Sequence, residues 1–577
     1  MIRFYTLLIL ILPYYLFAQA EISYIQPDIG APGMNVYMEI IGPASEKGNF
    51  GGDGMYIDGS EVNGSTSDEV RITLPNEEDT AKVTFGPLIV SWDGRMISTQ
   101  VFIHPGIEPN TWDWENLNNE FIIEFTVQVN CNTSTETETF YIVNPFPVGD
   151  KNFGPENVLG SSELGKRSPR GAMVVDSLIL DGKTYIVSTS DCDPNTAGNQ
   201  GFLPFILLSK GPVRGQTGTR ISLDADNYGN TQDAAPGGGG GGGKFVDELT
   251  GNNGDNGGNG YTGGGPGGYN RYLDGGDLGG WKDVGIGTGA DGKSLNGVSP
   301  GYTPVGSSAE SAGGGTGHPF GTGGEGSIER DDNQRVGGYG GGSGFKGDWA
   351  GGGGGYRTSG EQLDNVEFYG RAHGNRMVVP IAGGSGGASG NPEADAFPPF
   401  PSGNGGGGGG AVQIFAPVIE NIELSAQGGQ GGGGHNGSNG GSGSGGYVGV
   451  FAKVHADNIT LLAENNERGG KKGKTGKSGF GRRRMDVPNT DLVSPDDIVN
   501  TGFRGHTSDT TYYVNREDTI TGTKQPGKAV DVYLKPVNGS WSKIGTHSST
   551  DTTWSQELSL MDANLYFLTV EIGRAHV

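Results

Sequence analysis

Cysteine is nearly absent: Cys131 and Cys192 are the only two in 577 residues. The fold therefore cannot depend on a disulfide framework. In an oxidising compartment the two thiols form one intrachain pair or stay free. Histidine is scarce as well, eight residues in all, and none stands at metal-ligand spacing beside cysteines or acids. Basic residues are few, 39 Lys and Arg against 65 Asp and Glu, for a formal charge of −26. Such acidity disfavours nucleic acid and anionic membrane surfaces as partners and favours solubility. After the first twenty residues no apolar run approaches the ~20 residues of a membrane-spanning helix, so no transmembrane segment is expected.

The one apolar run sits at the start. Met1-Ile2-Arg3 carries a positive charge, Phe4 to Phe17 is almost unbroken in its apolar character, and Ala18-Gln19-Ala20 is a small-x-small site. This is the layout of a secretory signal peptide cleaved after Ala20, the alternative being an uncleaved N-terminal anchor. The expected location is secreted, extracellular or at the cell surface.

Glycine is what the chain has in excess. Of 113 glycines, 75 lie between Gly237 and Gly446. The stretch reads either as a flexible linker or as an ordered body. Aromatic residues spaced through it, including Tyr261, Trp281, Phe320, Trp349 and Tyr356, favour order, because disordered segments are depleted in them. No strict three-residue period occurs, which excludes collagen. Extended or polyproline-II segments hydrogen bonded side by side would use glycine's lack of a side chain.

Around this tract the chain reads as strands. Residues 21–105 carry short alternating runs such as Val36-Tyr37-Met38-Glu39-Ile40 and Leu88-Ile89-Val90-Ser91-Trp92, punctuated by Gly and Pro, as in a sandwich. Residues 106–170 hold Phe121 to Val129 and Phe140 to Val143 as strands within a connecting region. From 171 onward strands repeat. Ala411-Val412-Gln413-Ile414-Phe415-Ala416 returns 36 residues later as Tyr447-Val448-Gly449-Val450-Phe451-Ala452. With a one-residue slip, Asn421-Ile422-Glu423-Leu424-Ser425-Ala426 matches Asn458-Ile459-Thr460-Leu461-Leu462-Ala463. A fixed period of this kind means stacked units that bury a shared seam. Residues 467–484 are basic, with Arg468, Lys471, Lys472, Lys474, Lys477, Arg482, Arg483 and Arg484. They read as a solvated linker, with an anion- or polysaccharide-binding strip as the alternative.

Three resemblances follow from these residues. Ile25-x-Pro27-x-x-Gly30-x-Pro32-Gly33-x-x-Val36 is similar to the opening of an IPT/TIG-type immunoglobulin-like domain. The 409–429 and 445–464 units resemble the strand pairs of large secreted glycine-rich repeat proteins of environmental bacteria, across roughly residues 171–470, the second unit ending in Glu464-Asn465-Asn466 where the pattern has Gly-Gly. Ile520-x-Gly522-Thr523, Val530-x-Val532-Tyr533, the Trp554 strand and the closing Leu565–Val570 run resemble bacterial immunoglobulin-like repeats. The resemblances imply an extracellular location, with the end domains acting as stalks or adhesive spacers. Glu571 to Val577 resembles the translation of sequencing-adapter read-through, and the natural chain is expected to continue differently there.

The expected fold is mainly β: an N-terminal Ig-like sandwich, a central glycine-rich parallel β-solenoid with polyproline-II-like loops, and a C-terminal Ig-like sandwich. The divisions are 1–20 signal peptide, 21–105 IPT/TIG-like sandwich, 106–170 connecting region, 171–466 solenoid, 467–510 basic and polar linker, 511–570 bacterial Ig-like domain and 571–577 read-through.

Motifs for chemistry are weak. Gly383-Gly384-Ser385-Gly386-Gly387 matches a nucleophile elbow in letters, but no helix follows it. Gly473-Lys474-Thr475 and Gly476-Lys477-Ser478 lack the earlier glycine of a P-loop, Arg468 and Lys471 standing in its place. Asp191, Asp193 and Asn195 are candidate Ca²⁺ ligands, although Pro194 and the missing bidentate Glu depart from an EF-hand and a plain turn is the alternative. Asp224-Ala225-Asp226-Asn227 is a second such cluster. No other cofactor is implied. The expected function is a non-catalytic structural or adhesive surface protein, with extracellular polysaccharide or other surface proteins as partners. The alternatives are a polysaccharide-acting solenoid enzyme using carboxylates such as Glu420, Glu423 and Asp457, or a glycan- or ice-binding module.

Overall fold

The computed structural model describes residues 21–42, 50, 55–57, 61–63, 70–86, 88–90, 94–129, 132–133, 137–148, 158–159, 167–188, 203–228, 233–242, 351–360, 369–373, 378, 381–390, 403–434, 439–464, 476–486, 498–499 and strands between 519 and 572. These residues are mainly β, with only short 3-10 turns as helix.

The N-terminal body has two five-stranded sheets over one core. In the first, Asn35–Ile41 lies between Tyr24–Gln26 and Met96–Ile103. In the second, Ile122–Val129 pairs with Glu138–Ile142 and Val70–Thr73, and Glu138–Ile142 pairs with Ile29–Gly30. The strands Ile122–Val129 and Glu138–Ile142 thus belong to this body rather than to a connector. The alternation of Phe121, Ile123, Phe125 and Val127, all buried, places one face against Val36, Met38 and Ile40 in a shared core.

The central body is an eleven-stranded parallel sheet that the chain traverses layer by layer. Ala172–Val175, Phe205–Ser209, Ala411–Ser425, Tyr447–Leu462 and Arg482–Asp486 follow one another along the stack. Two further ladders run beside this one. Leu178–Leu180 and Val213–Gly215 lead to Ile419 and Glu420. Thr184–Val187 and Arg220–Ser222 lead to Glu423–Ser425. The strands that the sequence aligns at 36 residues lie side by side in that register, Val412 opposite Val448, and the slip falls between Ala416 and Val418, opposite Ala452 and His455.

Alternation along each strand separates two columns. Met173, Leu207, Ile414, Val450 and Met485 point inward to one core. Val174, Leu208, Phe415 and Phe451 point outward and pack on the N-terminal body. Asn421 and Asn458 turn equivalent corners at φ 56° and 50°. Asn458 Nδ2 donates to Asn421 Oδ1 at 2.8 Å. Asparagine is among the few residues that tolerate this left-handed region.

Three strands of the central sheet lie outside its expected division. Val158–Leu159 joins it from the connecting region, and Arg482–Asp486 is its fifth layer rather than part of a linker, with Ile498–Val499 paired beyond it. The triple arginine reads as solvent-facing. In the fold, the Arg484 guanidinium lies 4.6 Å from the centre of the Phe451 ring and pairs with Asp486 at 2.6 Å, both side chains buried. The C-terminal strands form a two-stranded and a three-stranded sheet around Val530, Val532 and Trp554. Tyr566–Ile572 continues through Glu571 and Ile572 opposite Asp531 and Val530.

Candidate functional site

The candidate Ca²⁺ ligands Asp191, Asp193 and Asn195, and both cysteines, Cys131 and Cys192, lie outside the described residues. Among the described residues no group of three or more His, Cys, Asp or Glu could hold a metal, and no helix is long and apolar enough to cross a membrane.

The second acidic cluster is a corner lock between layers. Asp224 Oδ2 accepts from Arg220 at 2.5 Å and Ser222 Oγ at 2.8 Å, while Oδ1 accepts from Ser425 Oγ at 2.5 Å and the Gln427 amide at 2.7 Å. Both oxygens are filled by donors, which leaves the carboxylate no role as a cation ligand. Of the carboxylates on the central sheet, Glu420 and Asp457 sit in register on neighbouring layers. Glu420 is paired with Arg214 at 2.8 Å and Glu423 with Arg220 at 3.3 Å. They hold layers together rather than facing each other across a cleft.

The fold does join one pair that the letters separate. His373 Nε2 lies 3.0 Å from Ser385 Oγ and 3.0 Å from the Gly355 carbonyl. Ser385 is fully buried, and its neighbours Gly384 and Gly386 face backbone at van der Waals limits. A nucleophile must be reachable, and this hydroxyl is enclosed. The pair serves to tie glycine segments together, with Tyr356 beneath the His373 ring at 4.9 Å.

Those segments are the distinctive part of the molecule. Runs 237–242, 351–355, 383–390, 403–410, 428–433, 439–446 and 476–481 lie side by side, several leading directly into a strand of the central sheet. Gly405 and Gly408 donate to Gly242 and Gly239, both at 2.9 Å. The adjacent residues Gly406 and Gly409 donate to Gly441 and Ser444 at 2.8 and 2.9 Å. Donors recur every third residue and consecutive residues address different neighbours. That is the three-residue repeat of polyproline II, not the two-residue repeat of a strand. Run 403–410 also accepts from Gly384, Gly387, Gly429 and Gly432, so it is bonded to four neighbours. Glycine is required here by space: among the described bundle glycines only Gly237 has a positive φ.

The bundle and the central sheet meet the N-terminal body along a seam. Tyr37 stacks on Phe415 with centroids 6.2 Å apart, and Phe415 stacks on Phe451 at 4.5 Å. Beside them Glu39 is buried, accepting from the Ile381 amide at 3.2 Å. Burial pushes its carboxyl up to about 8, against the opposing pull of the Ile381 hydrogen bond and the Arg484 charge. Burial also raises Tyr356 and Tyr447, which face the same region. For Arg484 burial acts downward, but the Asp486 carboxylate and the Tyr447 hydroxyl outweigh it and the guanidinium stays charged. Asp28, at the other end of the seam, is raised to about 6 by burial while accepting from Ser168 Oγ.

This arrangement gives a pH dependence with a definite sign. From its ordinary value of 4.5 up to about 8, folded Glu39 keeps a proton that the unfolded chain releases. Stability therefore falls as pH rises through that window and levels off above it. Melting temperature measured from pH 5 to 9 is expected to fall, and Glu39→Gln, which retains an acceptor for Ile381, is expected to flatten the upper part of the profile. An identical slope in the variant would assign the effect to other groups.

At the open end of the seam is a cleft of about 140 Å³, with Asn35, Phe415, Phe451 and Asp486 among its walls. No family model matches the sequence, and neither the curated proteins nor the solved structures yield a match.

Proposed function

We propose that the chain is a secreted, non-catalytic structural and adhesive protein of the cell surface or extracellular matrix. In this reading the central layers are a β-solenoid, and Ig-like domains at either end act as stalks. The observation that carries it is the glycine bundle growing from the layered sheet. Such a body has backbone as its interior, and its rigidity comes from hydrogen bonds between chain segments rather than from side chains around a pocket. The signal-type N-terminus, the scarcity of histidine and cysteine and the acid-rich composition agree with a role outside the cell.

The test is expression of the full chain with its own N-terminus in a bacterial host. The protein is expected outside the cell, accessible to added protease only under denaturing conditions over the glycine-rich body. Beads carrying it are expected to stay on polysaccharide-coated surfaces without releasing reducing ends. Retention in the cytoplasm would sink the extracellular reading. Steady release of reducing ends, abolished by substitution of a carboxylate such as Glu420, would replace it with a polysaccharide-acting enzyme.

A further inference from the structure

We propose that the cleft at the end of the seam is a binding site for an acidic polysaccharide, taking one uronate ring of the polymer at a time. The inference names a ligand class for the adhesive role proposed above, and rests on that reading only for where such a polymer is met.

Three observations lead to it. The first is an unfilled acceptor. Asn35 Oδ1 is shielded from solvent and has no hydrogen-bond partner, and Asn35 is a wall of the cleft. A buried polar atom left alone is costly, so the site is complete only when something supplies a donor there. The second is local charge. The molecule is strongly acidic as a whole, yet the rim carries Lys210 and Lys453, both exposed and without an ion pair among the described residues. The acid on this wall, Asp486, is already neutralised by Arg484. The third is the register slip in the repeat. Opposite the single residue Pro417 of the third layer, the fourth layer carries two, Lys453 and Val454. An inserted residue in a paired strand re-aims its neighbours, and such bulges are over-represented beside functional sites. Here it brings Lys453 to the rim and leaves Val454 62% exposed beside it.

The ligand chemistry follows from these groups. With the Asn35 side chain turned toward the cleft that it lines, a ligand hydroxyl donates to the Oδ1 that has no partner in the closed site. A carboxylate answers the ammonium groups. The C–H surface of a ring fills the apolar space along Phe415 and Phe451. Hydroxyls and carboxylates held on one small rigid ring are the features of a uronate. The volume of about 140 Å³ is below the ~300–1,000 Å³ of sites that enclose a whole small molecule. It suits one unit of a chain whose remainder lies outside. Lys210 and Lys453 belong to layers two and four, roughly 10 Å apart along the stack at the usual strand spacing. A polymer following that axis presents carboxylates to both lysines, which a single ring cannot do.

The test is calorimetric titration of the full chain with an oligogalacturonate, in the presence of a chelator so that bridging Ca²⁺ plays no part. Binding is expected to weaken with added salt. The double charge reversal Lys210→Glu with Lys453→Glu is expected to weaken it by roughly tenfold or more, with unchanged melting temperature because both side chains are exposed. Asn35→Ala is expected to weaken it independently of salt. A neutral cello-oligosaccharide is expected to give no heat, and free galacturonate to bind less tightly than the oligomer. The proposal is overturned by any of four results: no heat from the oligogalacturonate at millimolar concentration, full binding by the double variant, equal binding of the neutral chain, or equal binding of the free monosaccharide. Secretion and surface retention in the experiment above are read separately, so loss of this site leaves the structural reading standing.

Discussion

Gly440→Ala is expected to open the glycine bundle. A Cβ at Gly440 would lie 1.8 Å from the Asn404 carbonyl oxygen and 2.4 Å from its carbon. Both are backbone, so no side chain can swing aside. The Gly440 amide donates to Gly432, and Asn404, the residue struck, accepts from Gly432 as well; separating the segments breaks both bonds. Overpacking a core costs typically ~1–3 kcal/mol and more where backbone must shift, so the loss is expected at or beyond the top of that range. Gly433→Ala supplies the control. It lies in the same bundle, its nearest neighbour is 4.0 Å away at the Asn439 side chain, and it should change stability by about 0.5 kcal/mol or less. Denaturant midpoints of the two variants measure the contrast. Equal midpoints would mean that the segments are not packed in this way.

Arg167→Met is the second large effect. Arg167 is fully buried. Its guanidinium donates to the carbonyls of Gly171 at 3.1 Å, Ser188 at 3.0 Å, Leu203 at 2.6 Å and Pro204 at 3.0 Å. Those carbonyls belong to the ends of the first layer and the approach to the second, so one side chain ties two passes of the chain. Gly171 leaves room for it: a Cβ there would stand 2.8 Å from the Arg167 terminal nitrogen, at a φ of 88° that already favours glycine. Methionine keeps much of the volume but leaves four buried acceptors without these donors. A buried acceptor left without its donor costs ~1–3 kcal/mol, so the loss of donors to four of them is expected to total several kcal/mol. Unfolding of the full chain is expected to begin at this layer, read as early loss of amide protection in residues 172–187 and 205–209. Protection lost first in the C-terminal sheets, with these layers unchanged, would refute the role.

How much of this was legible beforehand depends on what each residue type advertises. The 411–425 and 447–462 strands announced themselves because branched and aromatic residues repeat at one spacing, and their pairing keeps that register. The slip was visible as well, but not its meaning, because the sequence does not say which corner absorbs it. The fifth layer was hidden: Arg482-Arg483-Arg484 carries no apolar signal, and its burial depends on Phe451 and Tyr356 supplied by other passes, with Asp486 of the same strand pairing Arg484. The N-terminal body was read as ending near 105 because its second sheet is completed by strands beyond that point. The seam was illegible for a related reason. Asn35, Glu39, Lys210 and Lys453 are ordinary residues in sequence, and only the stacking of layers against the sandwich brings them near one another.

The asparagine at the corner of layers three and four, and the lock around Asp224 between layers two and three, carry a consequence for synthesis. Layers three, four and five are close in sequence and can assemble as they leave the ribosome, whereas Leu207 meets Ile414 only after the whole intervening tract has been made. Until then the second layer waits with an open edge, the kind of surface that invites foreign strands. Closing so long a loop adds little to the equilibrium cost, which grows only logarithmically, but distant pairing is slow. The interval between translating residue 209 and residue 411 is therefore when a nascent chain is most exposed to misassembly, and slowing elongation there should lower the yield of folded protein more than slowing it anywhere after the third layer.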